Sequence, residues 1–153
     1  MATYSHILVP IDGSRLSAKA LRHAARLVKG TRTRLTVIHV IPPFEPAAFV
    51  DASAAIPYPD LYSPSEYEKS TRAYAATVLS RAAAAAKKEG AKCETGVLFG
   101  AQPWQGIIRE AKRRHCDLIA MASHGRRGVA ALVLGSETSK VLTHSKIPVL
   151  VCR

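Results

Sequence analysis

The residues whose types and spacing best suit ligand binding lie between 118 and 138. The apolar run at 118–122 has the composition of a buried strand, and the segment after it ends at Gly135 and Ser136, where a helical pattern begins. Glycines at 125, 128 and 135 allow backbone amides to approach a ligand closely. The start of a helix adds N–H groups and the positive end of its dipole. The pattern therefore predicts an anion cradle, with phosphate as the first anion to expect, and so indicates nucleotide binding.

A second polar turn, Asp12-Gly13-Ser14, follows the apolar run at 6–11. Asp12 either binds a ligand or caps the helix that begins here, and it can do the former only if Ser14 provides the cap. Ser136 and Thr138 present the same alternatives at the last helix, phosphate binding or N-capping.

Five segments, at 6–11, 35–41, 93–99, 118–122 and 147–152, predict five strands. Helices are expected between Ser14 and Gly30, from Pro64 or Ser65 to Gly90, around 104–111, and at 136–144. The apolar faces expected for the first two helices are Leu16, Ala20, Ala24, Leu27 and Val28, and then Tyr67, Thr71, Tyr74, Val78, Ala82 and Ala85.

This order of elements predicts an α/β fold, a five-stranded parallel doubly wound sheet with helices on both faces, Rossmann-like, in one domain over 1–153. Ligands of such sheets bind at the carboxyl ends of the strands. The Asp12 turn and the 122–135 segment are therefore expected to meet at one edge. Six of the nine prolines lie between 42 and 64, which predicts a long loop at 42–63 within the domain.

Bulk composition excludes several classes of protein. No apolar run reaches the ~18–20 residues of a membrane span, and the N-terminus does not resemble a secretion signal, so a cytoplasmic protein is expected. The three cysteines have no metal-ligand spacing and are expected to be reduced structural thiols. Five of the 11 acidic residues lie at 42–68, so the remainder carries +16 (22 basic and six acidic side chains). This charge favours a solvated basic surface over specific nucleic-acid binding, because no nucleic-acid-binding motif accompanies it.

The chain resembles the universal stress protein family. The similarity covers nearly the whole chain and includes the opening 7–14, the His39-Val40 pair, the segment 135–139 and the closing 146–151. Nucleotide-binding members carry Gly, two residues, Gly, nine residues, then Gly followed by Ser or Thr. Here Gly125, Gly135 and Ser136 match, and Ala122 replaces the first glycine. If the backbone there required positive φ, Ala122 would cost about 1 kcal/mol, whereas a need for close approach alone would tolerate its methyl group.

The resemblance implies that the chain binds ATP with Mg²⁺. The sequence itself contains no His/Cys metal cluster, so no resident metal is expected. The residues that the resemblance implies around the nucleotide are Pro10, Ile11, Asp12, Val40, Met121, Ala122, Gly125, Arg126, Gly135, Ser136, Glu137 and Thr138. It also implies a homodimer through the edge strand 147–152, in which Val149 and Val151 would form part of the interface.

Several roles stay open at this stage. Arg126 and Arg127 either reach a phosphate or are solvated. Glu137 points away from the ligand, ligates Mg²⁺, or pairs with one of these arginines. His39 is expected to be a core histidine, and His124 has no nucleophile and base at an interpretable spacing, so rapid catalysis is not expected beyond slow ATP hydrolysis.

Three functions are therefore compared. The first is a stress-response protein that binds ATP and senses or signals. The second is a dimer of the same fold that binds a protein partner without nucleotide. The third is a polyanion binder, which only the positive charge of the chain outside 42–68 suggests.

Overall fold

The computed structural model describes residues 4–45, 63–125 and 134–153. The strands are β1 (His6–Pro10), β2 (Arg34–Ile41), β3 (Glu94–Phe99), β4 (Leu118–Ala122) and β5 (Val149–Cys152). They form one parallel sheet in the order β3-β2-β1-β4-β5. The helices are α1 (Arg15–Val28), α2 (Pro64–Lys88), α3 (Pro103–Arg113) and α4 (Ser136–His144). The predicted doubly wound, Rossmann-like sheet is thereby confirmed.

Each face of the sheet buries its own apolar cluster. On one face, α1 and α2 cover residues such as Val9, Leu35 and Val37. On the other face, α3 and α4 cover Leu8, Ile38 and Ile119, among others. The strand residues are buried on both sides, which explains why the central strands are continuous apolar runs without alternation.

Helix α1 begins as the sequence predicts, but its buried face differs by one position. Ser14 is the N-cap, and its hydroxyl accepts a hydrogen bond from the Ser17 amide at 3.1 Å. The buried residues include Ala20, Leu21, Ala24, Ala25 and Val28. Leu27 was expected in the core and is instead 52% exposed. At about 100° per residue, the buried face is centred on Leu21, Ala24 and Val28, and Leu27 lies at its margin, about 90° around the helix.

Helix α2 begins at Pro64, as the sequence predicts, and its N-cap is Ser63, one residue before the Pro64 or Ser65 that was expected near the cap. Ser63 and Glu66 form a capping box in which each side chain bonds to the other's backbone N–H. Val78 and Ala82 are buried as predicted, together with Ala75, Leu79 and Ala86. Tyr67, Thr71 and Tyr74 are not in the core, because the first three turns of α2 extend past the ends of the strands and face a cavity.

Strand β5 is shorter than the predicted 147–152 and lies at one edge of the sheet. The Ile147 amide bonds to the Ser145 hydroxyl at 3.0 Å, and Pro148 has no N–H to donate, so regular pairing begins at Val149. Strand β3 forms the other edge. Residues 46–62 of the predicted 42–63 loop lie outside the described residues. Within the described ranges, no helix combines the length and the apolar character that a membrane span requires.

Candidate functional site

A cavity of about 700 Å³ opens at the carboxyl ends of β1, β2 and β4. The chain leaves β1 toward one neighbour, β2, while β4 and β5 lie on the other side of β1. This is the topological switch point of the sheet, where the helices after adjacent strands diverge to opposite faces and leave a crevice. Helix α2 forms one wall of the cavity, and the starts of α3 and α4 form the opposite wall.

Eleven of the twelve residues implied by the resemblance line this one cavity. They are Pro10, Ile11, Asp12, Val40, Met121, Ala122, Gly125, Gly135, Ser136, Glu137 and Thr138. Arg126, like Arg127, lies outside the described residues. Their convergence is a structural fact, whereas ligand binding by these residues stays a prediction.

Asp12 joins the end of β1 to the segment after β4. Its Oδ1 accepts a hydrogen bond from the Ser14 amide at 2.9 Å, and Ser14 caps α1, so capping and a ligand role for Asp12 are compatible. Its Oδ2 lies 2.6 Å from the position that a Cβ at residue 125 would occupy. Gly125 is therefore required for close approach, and the predicted meeting of the two turns is confirmed.

Gly135 is the last residue of the 122–135 segment, which we call the glycine segment. Its amide donates to the Ser123 carbonyl at 2.8 Å. A Cβ at this position would lie 3.0 Å from the His124 Cα, so any side chain would push the two chain segments apart. The glycine at 135 is thus explained by backbone contact between β4's end and the start of α4.

The N-terminus of α4 points its unpaired amides at the cavity. Gly135 is the N-cap and supplies no side-chain hydrogen bond, and the first turn holds Ser136, Glu137 and Thr138. The amides of a first turn have no partner within their helix, so they are available to an anion. The Thr138 hydroxyl donates to the Ala122 carbonyl at 2.8 Å, which leaves the amide, rather than the hydroxyl, as its group for a ligand.

Glu137 is held away from the space that an anion would occupy. Its Oε2 accepts a hydrogen bond from the Trp104 amide at 2.9 Å, and its Oε1 lies 3.3 Å from the Lys140 ammonium. Helix α3 lacks a side-chain cap from Gln102, so Glu137 supplies that cap from another helix. Of the alternatives left open by the sequence, the structure shows Glu137 directed toward α3.

Ala122 fits its position without strain. It is the last residue of β4, paired with Cys152, and among the described non-glycine residues only His115 has positive φ. Its methyl group packs in a small cluster with Ala20 and Cys152 on the α1 face. The replacement of the motif glycine therefore carries no conformational cost here.

Sequence reasoning missed the residues that line the cavity from the α2 side. His39, at the end of β2, was expected in the core; it is buried and also lines the cavity. Tyr67, Thr71 and Tyr74 were interpreted as a core-facing row, and the same helical spacing places them together on the cavity wall. The signal that could have found them was their three side-chain hydroxyl groups, because the rest of the row consists of small apolar residues.

The described residues that line the cavity include no nucleophile paired with a base in the manner typical of rapid catalysis. The Ser123 hydroxyl lies 3.1 Å from His124 Nδ1, but Ser123 is buried and does not line the cavity. All three cysteines are free, and burial raises the pKa of the Cys116 thiol to about 11, which keeps it protonated and inert.

No group of three or more His, Cys, Asp or Glu side chains suited to a metal occurs among the described residues. The carboxylates among the described residues of the cavity lining are Asp12 and Glu137, and Glu137 is bonded to α3. Mg²⁺ usually binds through one or two carboxylates together with substrate phosphates. The carboxylate of Asp12 therefore fits a Mg²⁺ ion that is held together with nucleotide phosphates.

Solved structures of similar fold include the universal stress protein UspA from Lactobacillus plantarum, with a TM-score of 0.79, 24% identity and full coverage of both chains. A universal stress protein in complex with cAMP has a TM-score of 0.68 and 23% identity, covering 97% of this chain and 95% of the other. The universal stress protein from Archaeoglobus fulgidus in complex with dAMP has a TM-score of 0.66 and 19% identity over both full chains.

Sequence comparison extends this likeness beyond the fold. Universal stress protein YxiE from Bacillus subtilis is 31% identical over 150 residues, covering 98% of this chain and 99% of that protein. The model of the universal stress protein family matches residues 3–153. The chain therefore belongs to the universal stress protein family.

Proposed function

We propose that this protein binds ATP with Mg²⁺ in the cavity at the carboxyl edge of the sheet. The observation that carries the proposal is the N-terminus of α4, which has no side-chain cap and opens onto the cavity beside Gly125 and Asp12. Phosphates on this turn would accept hydrogen bonds from the amides of residues 136–138 and benefit from the helix dipole. Asp12 is the carboxylate that would face the Mg²⁺ or the ribose.

The adenine part of the proposal is supported by relatives. The family members solved with cAMP and with dAMP differ in their sugar and phosphate groups and share the adenine base. The end of the cavity away from α4 is lined by apolar and aromatic groups, including Val40, Ile41 and Tyr74, which suits a flat ring. Val40 is the residue that the resemblance places beside adenine.

We further propose that the protein is a cytoplasmic homodimer that senses or signals, with at most slow ATP hydrolysis. Strand β5 is an edge of the sheet, and its Leu150 side chain is 37% exposed. An exposed apolar edge strand is a surface for pairing with a second copy.

The test is isothermal titration calorimetry of nucleotide-stripped protein with ATP and Mg²⁺. We expect saturable binding near one ATP per chain, and loss of binding in Gly135→Val because its side chain would displace His124. Gly100→Val is the matched control, since a Cβ at Gly100 meets nothing within 4 Å. Both variants should keep a native circular dichroism spectrum. Binding retained by Gly135→Val would place the nucleotide elsewhere, and no binding by the unmodified protein would leave the nucleotide-independent, partner-binding dimer as the better account.

Polyanion binding is a second candidate function, favoured by one row of cations on α1. The row runs from residue 15 to residue 29, about 21 Å along the helix axis, at spacings of four, three, four and three residues that share one side of the helix. All five side chains are exposed: Arg15, Lys19, Arg22, Arg26 and Lys29. Helix α1 contains no acidic residue, and Glu89 pairs with Arg26 from the end of α2.

Charge-reversal variants distinguish DNA binding by this row of cations from general attraction to a basic surface. If the row binds duplex DNA, Lys19→Glu with Arg22→Glu should reduce the slope of log affinity against log salt by roughly 2. Arg109→Glu with Lys112→Glu, on exposed positions of α3, changes the net charge equally and should have a smaller effect. Undetectable DNA binding at low salt would exclude this function.

A further inference from the structure

His39 is a polar side chain at the end of β2 whose ring is fixed in place. Its Nδ1 lies 2.8 Å from the Ile11 carbonyl oxygen. The Tyr74 ring meets the imidazole edge-on, with centroids 5.7 Å apart at 64°. The Tyr74 hydroxyl in turn donates to the Asp12 carbonyl at 3.2 Å, which anchors that ring to the turn after β1.

The Ile11 bond determines which ring nitrogen carries the proton. A carbonyl oxygen only accepts hydrogen bonds, so Nδ1 must be the N–H donor. In the neutral imidazole the other nitrogen, Nε2, then carries a lone pair and is an acceptor. The fixed ring therefore holds an acceptor at a defined position.

His39 belongs to the lining of the cavity. It is 8% exposed, and no described residue makes a hydrogen bond to Nε2. No buried side-chain nitrogen or oxygen among the described residues lacks a partner, so Nε2 must retain accessible surface. We assign that surface to the cavity that His39 lines.

His39 lies at the end of the cavity where the base of a bound nucleotide is expected. Strands β2 and β4 are separated by β1, which places their ends about 10 Å apart at the usual strand spacing. Phosphates on the α4 amides would lie at the β4 end, so the base of a bound nucleotide would lie toward the β2 end, where His39 is. A buried acceptor there favours a base that presents a donor group.

We infer that His39 selects adenine, with Nε2 accepting a hydrogen bond from the 6-amino group of the base. This inference rests on the proposed nucleotide site and adds the residue that discriminates between purines. Guanine and hypoxanthine carry an acceptor oxygen at the same position, which would face the Nε2 lone pair. His39 is thus a specificity-determining residue as well as part of the wall.

Two substitutions at His39 separate recognition from structure. In His39→Asn the side-chain amide can still donate to the Ile11 carbonyl, and no acceptor remains at the position of Nε2. In His39→Gln the longer side chain can place its oxygen near that position, and the Ile11 bond is lost. Both variants lose the contact with the Tyr74 ring, so a difference between them cannot arise from that contact.

The probes are ATP, purine riboside triphosphate, which lacks the 6-amino group, and inosine triphosphate, each measured by calorimetry with Mg²⁺. We expect the unmodified protein to prefer ATP over the purine riboside analogue by roughly 5- to 10-fold, the effect of one hydrogen bond, and to bind inosine triphosphate more weakly still. His39→Asn should reduce the first ratio to about 1, while His39→Gln should retain a preference for ATP. Urea unfolding confirms that each variant is folded.

The outcomes distinguish the two proposals. If the unmodified protein binds all three nucleotides equally, or if His39→Asn keeps the full preference for ATP, the role of His39 is wrong and the nucleotide site stands. If the unmodified protein binds none of them, the proposed function fails, and the inference about His39 fails with it.

Discussion

Removal of the Glu137 carboxylate should weaken the fold and strengthen nucleotide binding at the same time. Helix α3 begins with Pro103, which has no N–H, and the Gln105 and Gly106 amides turn back to the Gln102 carbonyl. The Trp104 amide is the remaining donor of this turn, and Glu137 accepts from it at 2.9 Å. The same carboxylate lines the cavity, where its charge repels a phosphate.

The two effects have different magnitudes and different chemical requirements. Loss of an N-terminal cap costs about 1 kcal/mol, and loss of an acidic group from the first turn of α4 adds about 0.5 kcal/mol. We therefore expect Glu137→Ala to lower the free energy of unfolding by about 1.5 kcal/mol, or about 3–6 °C in Tm for a chain of this length. Glu137→Gln keeps an acceptor for Trp104 and should lose about half as much.

Both variants remove one negative charge from the cavity wall, and repulsion of about 1 kcal/mol in a partly solvated site corresponds to roughly 5-fold tighter ATP binding. Urea unfolding and calorimetry with Mg²⁺ measure the two effects. Glu89→Gln is the control, since it changes the net charge equally at an ion pair with Arg26 outside the cavity lining. Weaker ATP binding by both Glu137 variants would refute this reasoning and identify Glu137 as a ligand of the Mg²⁺ ion.

Two further predictions concern assembly and acid stability. Val149→Lys together with Val151→Lys should convert the proposed dimer to a monomer, and a dimer unchanged in analytical ultracentrifugation would exclude the β5 interface. Hydrogen bonds from Arg113 and Arg114 lower the pKa of Glu110 from 4.5 to about 2, against the opposing effect of its burial. That shift corresponds to about 3 kcal/mol, and solvent around the exposed Arg113 reduces the contribution to about 2 kcal/mol. Because the folded pKa is depressed, this stability is present above pH 4.5 and is lost as the pH falls toward 2. Glu110→Gln should therefore lower the free energy of unfolding in urea at pH 7, and the two proteins should become equally stable near pH 2. A difference in stability that does not change with pH would contradict this prediction.

The order and type of the elements could be predicted from the sequence because they follow from local patterns. Strand β4 and helix α4 have the predicted bounds, since a short apolar run and a glycine before a helical repeat are signals within a few residues. Ser14 as the cap of α1 follows from the same kind of local chemistry. The glycines at 125 and 135 were identified by their match to the glycine spacing of the family that the chain resembles.

The wrong predictions concern the buried faces of helices, because helical periodicity does not specify what a helical face contacts. Tyr67, Thr71 and Tyr74 have a spacing typical of a buried helical face, and that face extends past the sheet and meets a cavity instead. Leu27 is apolar but lies beside the buried face of α1. Helical periodicity defines one side of a helix, whereas the length of the strands beneath it decides what that side contacts.

The sequence by itself determined the doubly wound sheet and the glycine segment before α4, because both depend on residues close together along the chain. Tertiary structure alone decided the chemistry of the individual site residues. The partner of Glu137 is the amide of Trp104, 33 residues earlier, and the proton on His39 is fixed by the carbonyl of Ile11, 28 residues earlier. Such hydrogen bonds depend on the crossing of elements at the sheet's edge, and no local pattern in the sequence encodes them.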